Sequence, residues 1–492
     1  MNEHRLFIDN EWREGSAGTY DVINPGTEGL VGAAPEASAS DVADAVAAAR
    51  RAQAEWAATS PSARAELLER VAELVMARAE DFVPLLQAET GATMRVASTM
   101  QLPVVADRFR RYARGAFEPT VDALPPVPVA QTALAAGGLT NAVAARRPVG
   151  VVGCITSYNF PIVNLAGKLA PALAMGNTVV AKPAPQDPLA CLKLGEIFVE
   201  AGAPAGIFNV VTDSGAAAGA ALVASPDVDM ISFTGSTTVG RRIATDGGAT
   251  MKRLLMELGG KGAAIVFEDA DVAKAVSAIG STWAFHSGQI CTAPTRALVH
   301  RSRYDEVVAG LARYAARLPV GDPLLPTTVV GPVISAAHRD RVEGYIAGAV
   351  GEGARLVLGG TRKEHTADTP ELPGAGFFVA PTLLAEVTPA MTIAREEVFG
   401  PVVAVIPFED DEEAIALANS TDYGLYDYLF TADTARAYTL AARLRTGNVG
   451  INTAQRHPET PFGGFKQSGV GRDGGSFGLH AYSEQQALVW QS

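Results

Sequence analysis

The sequence predicts an α/β protein of at least two domains, each a largely parallel sheet with helices on both faces. Three observations carry this reading. From Val149 to Phe267, short apolar, β-branched runs alternate with segments of helical composition, the pattern of strands buried on both faces. The second half repeats that alternation more loosely. The chain has 492 residues, 48% hydrophobic and 19% charged, which at ~100–200 residues per domain gives two to four domains with a sizeable core.

The elements follow in chain order. Ser40 is placed to cap a helix over 41–57, and Ser60-Pro61 is a cap followed by proline at the first helical position. In that second helix Leu67, Leu68, Val71, Leu74 and Val75 share one face. The stretch 119–138 is rich in Pro, Gly and small residues, and reads as a linker or an extended arm that breaks the first domain. Strands are expected at 150–155, 177–181, 207–211, 229–233, 254–258 and 263–267, with helices between them over 189–201 and 236–245. Further strands are expected near 296–300, 355–358, 402–407 and 447–452, and helices near 303–317 and 433–445.

Composition excludes several functions. A net charge of −13 and the lack of a long Lys/Arg run make nucleic acid and anionic membranes poor partners. Three cysteines (Cys154, Cys191 and Cys291) form no disulfide framework and point to a reducing, cytoplasmic setting. No apolar signal core opens the chain and no run reaches the ~18 apolar residues of a membrane span. The seven histidines are scattered without an HxxxH pair, so no metal is expected.

Two familiar patterns in the tail fail on context. Gly469, Gly471 and Gly474 match the dinucleotide fingerprint GxGxxG, but only 18 residues follow, too few for the βαβ unit it requires. Gly474-Gly475-Ser476-Phe477-Gly478 matches the hydrolase elbow GxSxG, whose acid and histidine must lie downstream. Both read as glycine-rich loop.

Five other segments carry chemistry. Gly288-Gln289-Ile290-Cys291-Thr292, followed by Pro294, reads equally as a structural cysteine or as a turn that can present a thiol, whereas Cys154 and Cys191 sit in apolar segments as structural cysteines. Met256-Glu257-Leu258-Gly259-Gly260-Lys261 puts a carboxylate at the end of an apolar strand, where parallel sheets place ligands. Thr156-Ser157-Tyr158-Asn159-Phe160-Pro161 follows the strand at 150–155. Thr234-Gly235-Ser236-Thr237 is a strand–turn–helix start whose backbone N–H groups suit a phosphate. The fifth is Glu396-Glu397-Val398-Phe399-Gly400-Pro401.

All five, in this order and spacing, together with the tail Pro461-Phe462-Gly463-Gly464 … Gly471-Arg472, resemble the NAD(P)-dependent aldehyde dehydrogenase superfamily from about residue 6 to the C-terminus. The resemblance implies a Rossmann-like cofactor domain (1–125 and 149–258), an α/β catalytic domain (259–465) and a β-arm for oligomerisation (126–148 and 476–492), in a homodimer or homotetramer. It implies Cys291 as nucleophile, Glu257 as general base and Asn159 as an oxyanion donor. It further implies NAD, or NADP, held by Thr156, Lys182, Gly235, Ser236, Val239, Leu258, Glu397 and Phe399. Phe160, Val163, Asn164, Gly167, Phe285, Ile290 and Phe462 match substrate-pocket positions.

Departures from the family pattern set further expectations. Pro185 stands where many NAD-preferring members carry a glutamate, and Lys182 is close by to attract a 2′-phosphate, so weak NAD preference or dual use is expected. Asp473 replaces the usual glutamate. Gly167 stands where relatives place a bulky wall or a carboxylate-binding arginine, which predicts a wide, dry pocket for an aromatic or medium-chain aldehyde rather than a semialdehyde bearing a carboxylate. Arg456 and His457 are expected to point to solvent or across a subunit contact. The competing readings are a semialdehyde dehydrogenase whose carboxylate-bearing substrate is bound by Arg456 or His457, with Gly167 merely accommodating a neighbouring side chain, a thiol hydrolase using Cys291 with His286 as base, and a catalytically dead binding protein.

Overall fold

The five strands Val151–Ile155, Thr178–Lys182, Phe208–Val210, Met230–Thr234 and Arg253–Glu257 pair in parallel. In the computed structural model, which describes residues 4–134 and 136–491, alternate side chains of these strands enter different cores. Val152, Cys154, Val179 and Ala181 pack on one face, while Val151, Ile155, Val180 and Ile231 pack on the other. Burial on both faces is why these runs are apolar without alternation. The chain starts at the central strand Val151–Ile155, adds two strands on one side, then returns to add Met230–Thr234 and Arg253–Glu257 on the other. The order reverses between Val151–Ile155 and Met230–Thr234, so the carboxyl ends of these two strands flank the crevice where such sheets bind ligands.

Antiparallel strands close both edges, Leu6–Ile8 and Glu11–Arg13 on one and the tail strand Gly469–Val470 on the other. The second sheet runs in the order Arg355–Leu358, Thr382–Ala385, Val402–Phe408, Arg296–His300, Ala263–Val266, Tyr426–Phe430, Asn448–Ile451, parallel except for the first. A third sheet of Val121–Val129, Gly138–Pro148 and Ser483–Gln491 is antiparallel and mostly exposed. No helix among the described residues is long and apolar enough to cross a membrane.

Several local expectations shift. The first helix is Ala39–Ala58, and its cap is Ser38 rather than Ser40. Ser38 Oγ accepts from Ser40 and Asp41 N–H while the Asp41 carboxylate accepts from Ser38 N–H at 2.8 Å, a reciprocal box that Ser40 could not form. Ser60 does cap Pro61–Ala77. The Pro-rich stretch is a strand from Val121, earlier than position 126, and Gly475–Ala481 is a helix whose Leu479 enters the first core, so the tail's strand starts only at Ser483. Strands Thr382–Ala385 and Tyr426–Phe430 went unpredicted; in the latter Asp427 breaks the apolar run, yet it is buried because it accepts from Ala263 N–H at 2.7 Å.

Candidate active site

Cys291 follows a strained turn. Helix Val272–Trp283 ends, then His286 (φ 49°), Ser287 (φ 56°) and Gly288 (φ 71°) are all left-handed. Such conformations at non-glycine residues cost ~1–3 kcal/mol each and persist only when surroundings impose them. Here they do: His286 Nε2 lies 2.7 Å from Asn159 O, Ser287 Oγ donates to Gly331 O at 2.7 Å, and Gln289 Oε1 accepts from Ile334 N at 3.0 Å. The turn therefore fixes the half-buried Cys291 against the segment that joins the two sheets, and a Cβ on Gly260 would stand 2.7 Å from Cys291 O.

Asn159 is buried and tied three ways. Its Nδ2 donates to Gln289 O at 2.8 Å, its Oδ1 accepts from Ser157 Oγ at 2.8 Å, and the same oxygen accepts from Asn164 Nδ2 at 3.2 Å. One amide N–H is thus committed to the cysteine turn and the second remains to donate. Asn164 also donates to Ser157 Oγ at 3.0 Å, so its amide is engaged with the Asn159 network.

Glu257 ends its strand, paired with Thr234 on one side and with Gly469 on the other. Both carboxyl oxygens are buried without a hydrogen-bond partner. Burial, and then the negative charge of Asp473, hold this carboxyl well above the usual range, while Lys168, Arg456 and Arg472 pull the other way. Its neighbour Gly463 must be glycine, since its φ is 158° and a Cβ would come within 2.9 Å of Glu257 Oε1. Burial pushes the Cys291 thiol up to about 12; Arg456 lowers it, while Glu397 and Glu257 raise it further. At rest this side chain is a thiol, not a thiolate.

The crevice at the sheet's reversal point presents a consistent set of groups. Thr156 Oγ1, just beyond strand Val151–Ile155, is buried without a partner. Across from it, Gly235 and the cap Ser236 open helix Thr237–Gly247, and Ser236, Thr238 and Val239 are exposed. Leu258 packs beneath this helix against Gly240. Lys182 closes the next strand, its Nζ 2.6 Å from Asp213 Oδ1. Glu397 Oε1 accepts from Gly260 N–H at 3.0 Å, and burial raises its carboxyl to about 7. Phe399 is held at φ 59°, with its carbonyl 2.8 Å from His338 Nε2, while Arg341 donates to the carbonyls of Glu397 and Val398. An orphaned hydroxyl and an exposed helix N-terminus flanking a sheet's switch point suit a dinucleotide phosphate bridge.

The sequence pattern of the aldehyde dehydrogenase family matches residues 12–488. The chain belongs to this family. It is 38% identical to a 3-succinoylsemialdehyde-pyridine dehydrogenase of a Pseudomonas species over 99% of both chains. It is 40% identical to betaine aldehyde dehydrogenase 1 of Rhizobium meliloti over 98% of this chain and 96% of that one. Among solved structures, a cysteine-to-alanine mutant of aldehyde dehydrogenase C from Pseudomonas syringae, complexed with NAD+ and octanal, superposes with a TM-score of 0.91 at 38% identity, covering 99% of this chain and 96% of that one.

In this aldehyde dehydrogenase two expectations change. Gly167 does not leave open space, because a Cβ there would overlap Nη1 of Arg108, which donates to Val163 O at 2.6 Å. The glycine accommodates a neighbouring guanidinium. Arg456 is exposed but does not simply face water, since its guanidinium lies 3.8 Å over the Phe462 ring. His457 is exposed and turns onto its own loop, its Nδ1 accepting from Glu459 N–H. Phe160 packs on His286 at 5.0 Å; Phe285 and Ile290 are half-buried beside it on the cysteine turn. Sequence reasoning named Ser157 and Gln289 only as members of motifs, without a role, and missed Arg108, Asp213 and Arg341. Only Gly167 carried a signal, as a glycine where a large side chain was expected.

Proposed function

We propose that this enzyme oxidises an aldehyde to the carboxylic acid with NAD(P)+, using Cys291 as nucleophile, Asn159 as oxyanion donor and Glu257 as the base for hydrolysis. The observation that carries this is the convergence of a thiol on an imposed turn, an amide locked to that turn with one N–H to spare, and a buried, unpartnered carboxyl. Because the thiol is protonated at rest, it gives its proton to water as the sulfur attacks the aldehyde carbon. The resulting oxyanion of the thiohemiacetal meets the free N–H of Asn159 and the backbone N–H of Cys291. Bound NAD(P)+ supplies the acceptor for the hydride that leaves when this oxyanion collapses. A thioester remains on Cys291; Glu257 takes a proton from water as the water attacks it, which frees the thiol and the acid.

Thr156, Gly235, Ser236, Val239 and Leu258 would hold the phosphate end of the cofactor, Lys182 the adenosine ribose, and Glu397 and Phe399 the nicotinamide end. The first sheet then serves as cofactor domain and the second as catalytic domain. The exposed three-stranded sheet, with Val121, Leu124, Val489 and Trp490 uncovered, suits pairing with another copy of this chain.

The substrate reading is an aromatic or medium-chain apolar aldehyde, supported by Phe160, Val163, Phe285, Ile290 and Phe462. Arg108 and Arg456 argue against a quaternary ammonium aldehyde, since like charges repel at short range. Arg108 behind Gly167 favours a second reading, an aldehyde with a distal carboxylate or carbonyl. The thiol hydrolase alternative loses its base, because His286 is buried, tied to Asn159 O, and pushed down to about 4 by burial. The test is absorbance at about 340 nm on mixing protein, NAD(P)+ and hexanal or benzaldehyde. Growth that requires both cofactor and aldehyde supports oxidation; ester turnover independent of cofactor supports the hydrolase.

A further inference from the structure

Lys182 is buried at the end of strand Thr178–Lys182, the strand next to the central one. In a doubly wound sheet this strand end faces the ribose 2′ position, where a carboxylate selects the 2′-hydroxyl and a cation accommodates a 2′-phosphate. Lys182 alone would read as the second case, and Pro185 offers no opposing carboxylate. The structure adds two acids that lie far away in sequence. Asp213, 1% exposed, approaches Lys182 Nζ at 2.6 Å and accepts from Ala218 N–H at 2.8 Å through its other oxygen. Glu36 binds the residue after Asp213, accepting from Ser214 N–H at 2.9 Å and from Ser214 Oγ at 3.2 Å. Lys182 Nζ also donates to Gly215 O at 3.2 Å.

We infer that Asp213 is the specificity-determining residue for the cofactor: it neutralises Lys182 and, with Glu36, leaves the ribose site net negative, so the site takes a 2′-hydroxyl and rejects a 2′-phosphate. This rests on the dinucleotide reading proposed above. It reverses the expectation drawn from Pro185 and Lys182, because the carboxylate missing at 185 is supplied from the end of the following strand. A phosphate monoester brings close to two negative charges at neutral pH, and two carboxylates against one ammonium cannot compensate them.

Isothermal titration calorimetry with NAD+ and NADP+ tests this without turnover. Wild-type protein should bind NAD+ about 100-fold more tightly than NADP+. Asp213→Asn keeps an acceptor for Ala218 N–H but removes the charge; it should tighten NADP+ about tenfold while NAD+ moves by less than about threefold. Glu36→Gln, at a half-buried position that threatens folding less, should shift the ratio in the same direction by a smaller factor. A purely structural ion pair would move both dinucleotides together. Equal wild-type binding of the two dinucleotides, or an unchanged ratio in both variants, overturns the inference while leaving the proposed reaction standing. If wild-type protein binds neither dinucleotide, the proposed reaction fails and this inference falls with it.

Discussion

Replacing Asn164 with leucine should slow the chemical step without loosening the cofactor. Asn164 donates to Asn159 Oδ1 at 3.2 Å and to Ser157 Oγ at 3.0 Å, and leucine removes both bonds while keeping the branched outline of the side chain. Net hydrogen bonds of this kind contribute ~0.5–1.5 kcal/mol each. The Asn159 amide keeps two anchors, Ser157 Oγ and Gln289 O, so the remaining N–H wanders but is not lost. The ceiling is Asn159→Ala, which deletes the donor outright and should cost ~2.7–4 kcal/mol, a factor of ~10²–10³ in rate. Asn164→Leu should therefore cost ~1–2 kcal/mol, about a five- to thirtyfold slower first turnover. Stopped-flow formation of the reduced cofactor gives that rate, and titration of the cofactor gives the affinity, which should not change. A first turnover at wild-type speed, or a matching loss of cofactor affinity, would refute the view that Asn164 acts by orienting Asn159.

Other outcomes follow from the same geometry. Cys291→Ala should abolish turnover while dinucleotide binding persists, because the thiol supplies the covalent step and not the cofactor site; residual turnover near wild type contradicts the assignment. Because burial pushes both the Glu257 carboxyl and the Cys291 thiol upward, rising pH enlarges the fraction of ionised base, and kcat should climb as pH is raised through neutrality. A kcat that falls over that interval has the wrong sign for this mechanism. Arg108→Met should raise kcat/KM for a quaternary ammonium aldehyde and lower it for succinate semialdehyde relative to hexanal, a change of about tenfold or more in the ratio; an unchanged ranking would remove Arg108 from the substrate site.

The sheet that frames the crevice was legible because its strands are buried on both faces and so stay apolar without alternation, as in Val151–Ile155 and Thr178–Lys182. Tyr426–Phe430 escaped because the partner that makes its buried Asp427 tolerable, Ala263 N–H, lies 164 residues away. The same division runs through the site. Cys291, Glu257 and Asn159 stand in local motifs, and their roles were legible through the resemblance that all five segments carry together rather than from any one of them. Asp213 beside Lys182, Arg108 behind Gly167 and Asn164 on Asn159 are pairings made by the fold; the first two join distant segments, and even Asn164 needs the helix turn that brings it back over the loop. Gly167 shows the limit plainly: a missing side chain signals that something occupies the space, but not whether it is substrate or another residue.

The central claim is that the aldehyde carbon becomes a thioester on Cys291, which Glu257 then releases. Intact-protein mass spectrometry of Glu257→Gln, after mixing with NAD+ and hexanal, tests it most directly. About one reduced cofactor per site is expected, then a stalled protein heavier by one acyl group, with the added mass on the peptide that contains Cys291. Unmodified protein turning over at the wild-type rate, or an acyl group carried elsewhere, would contradict it.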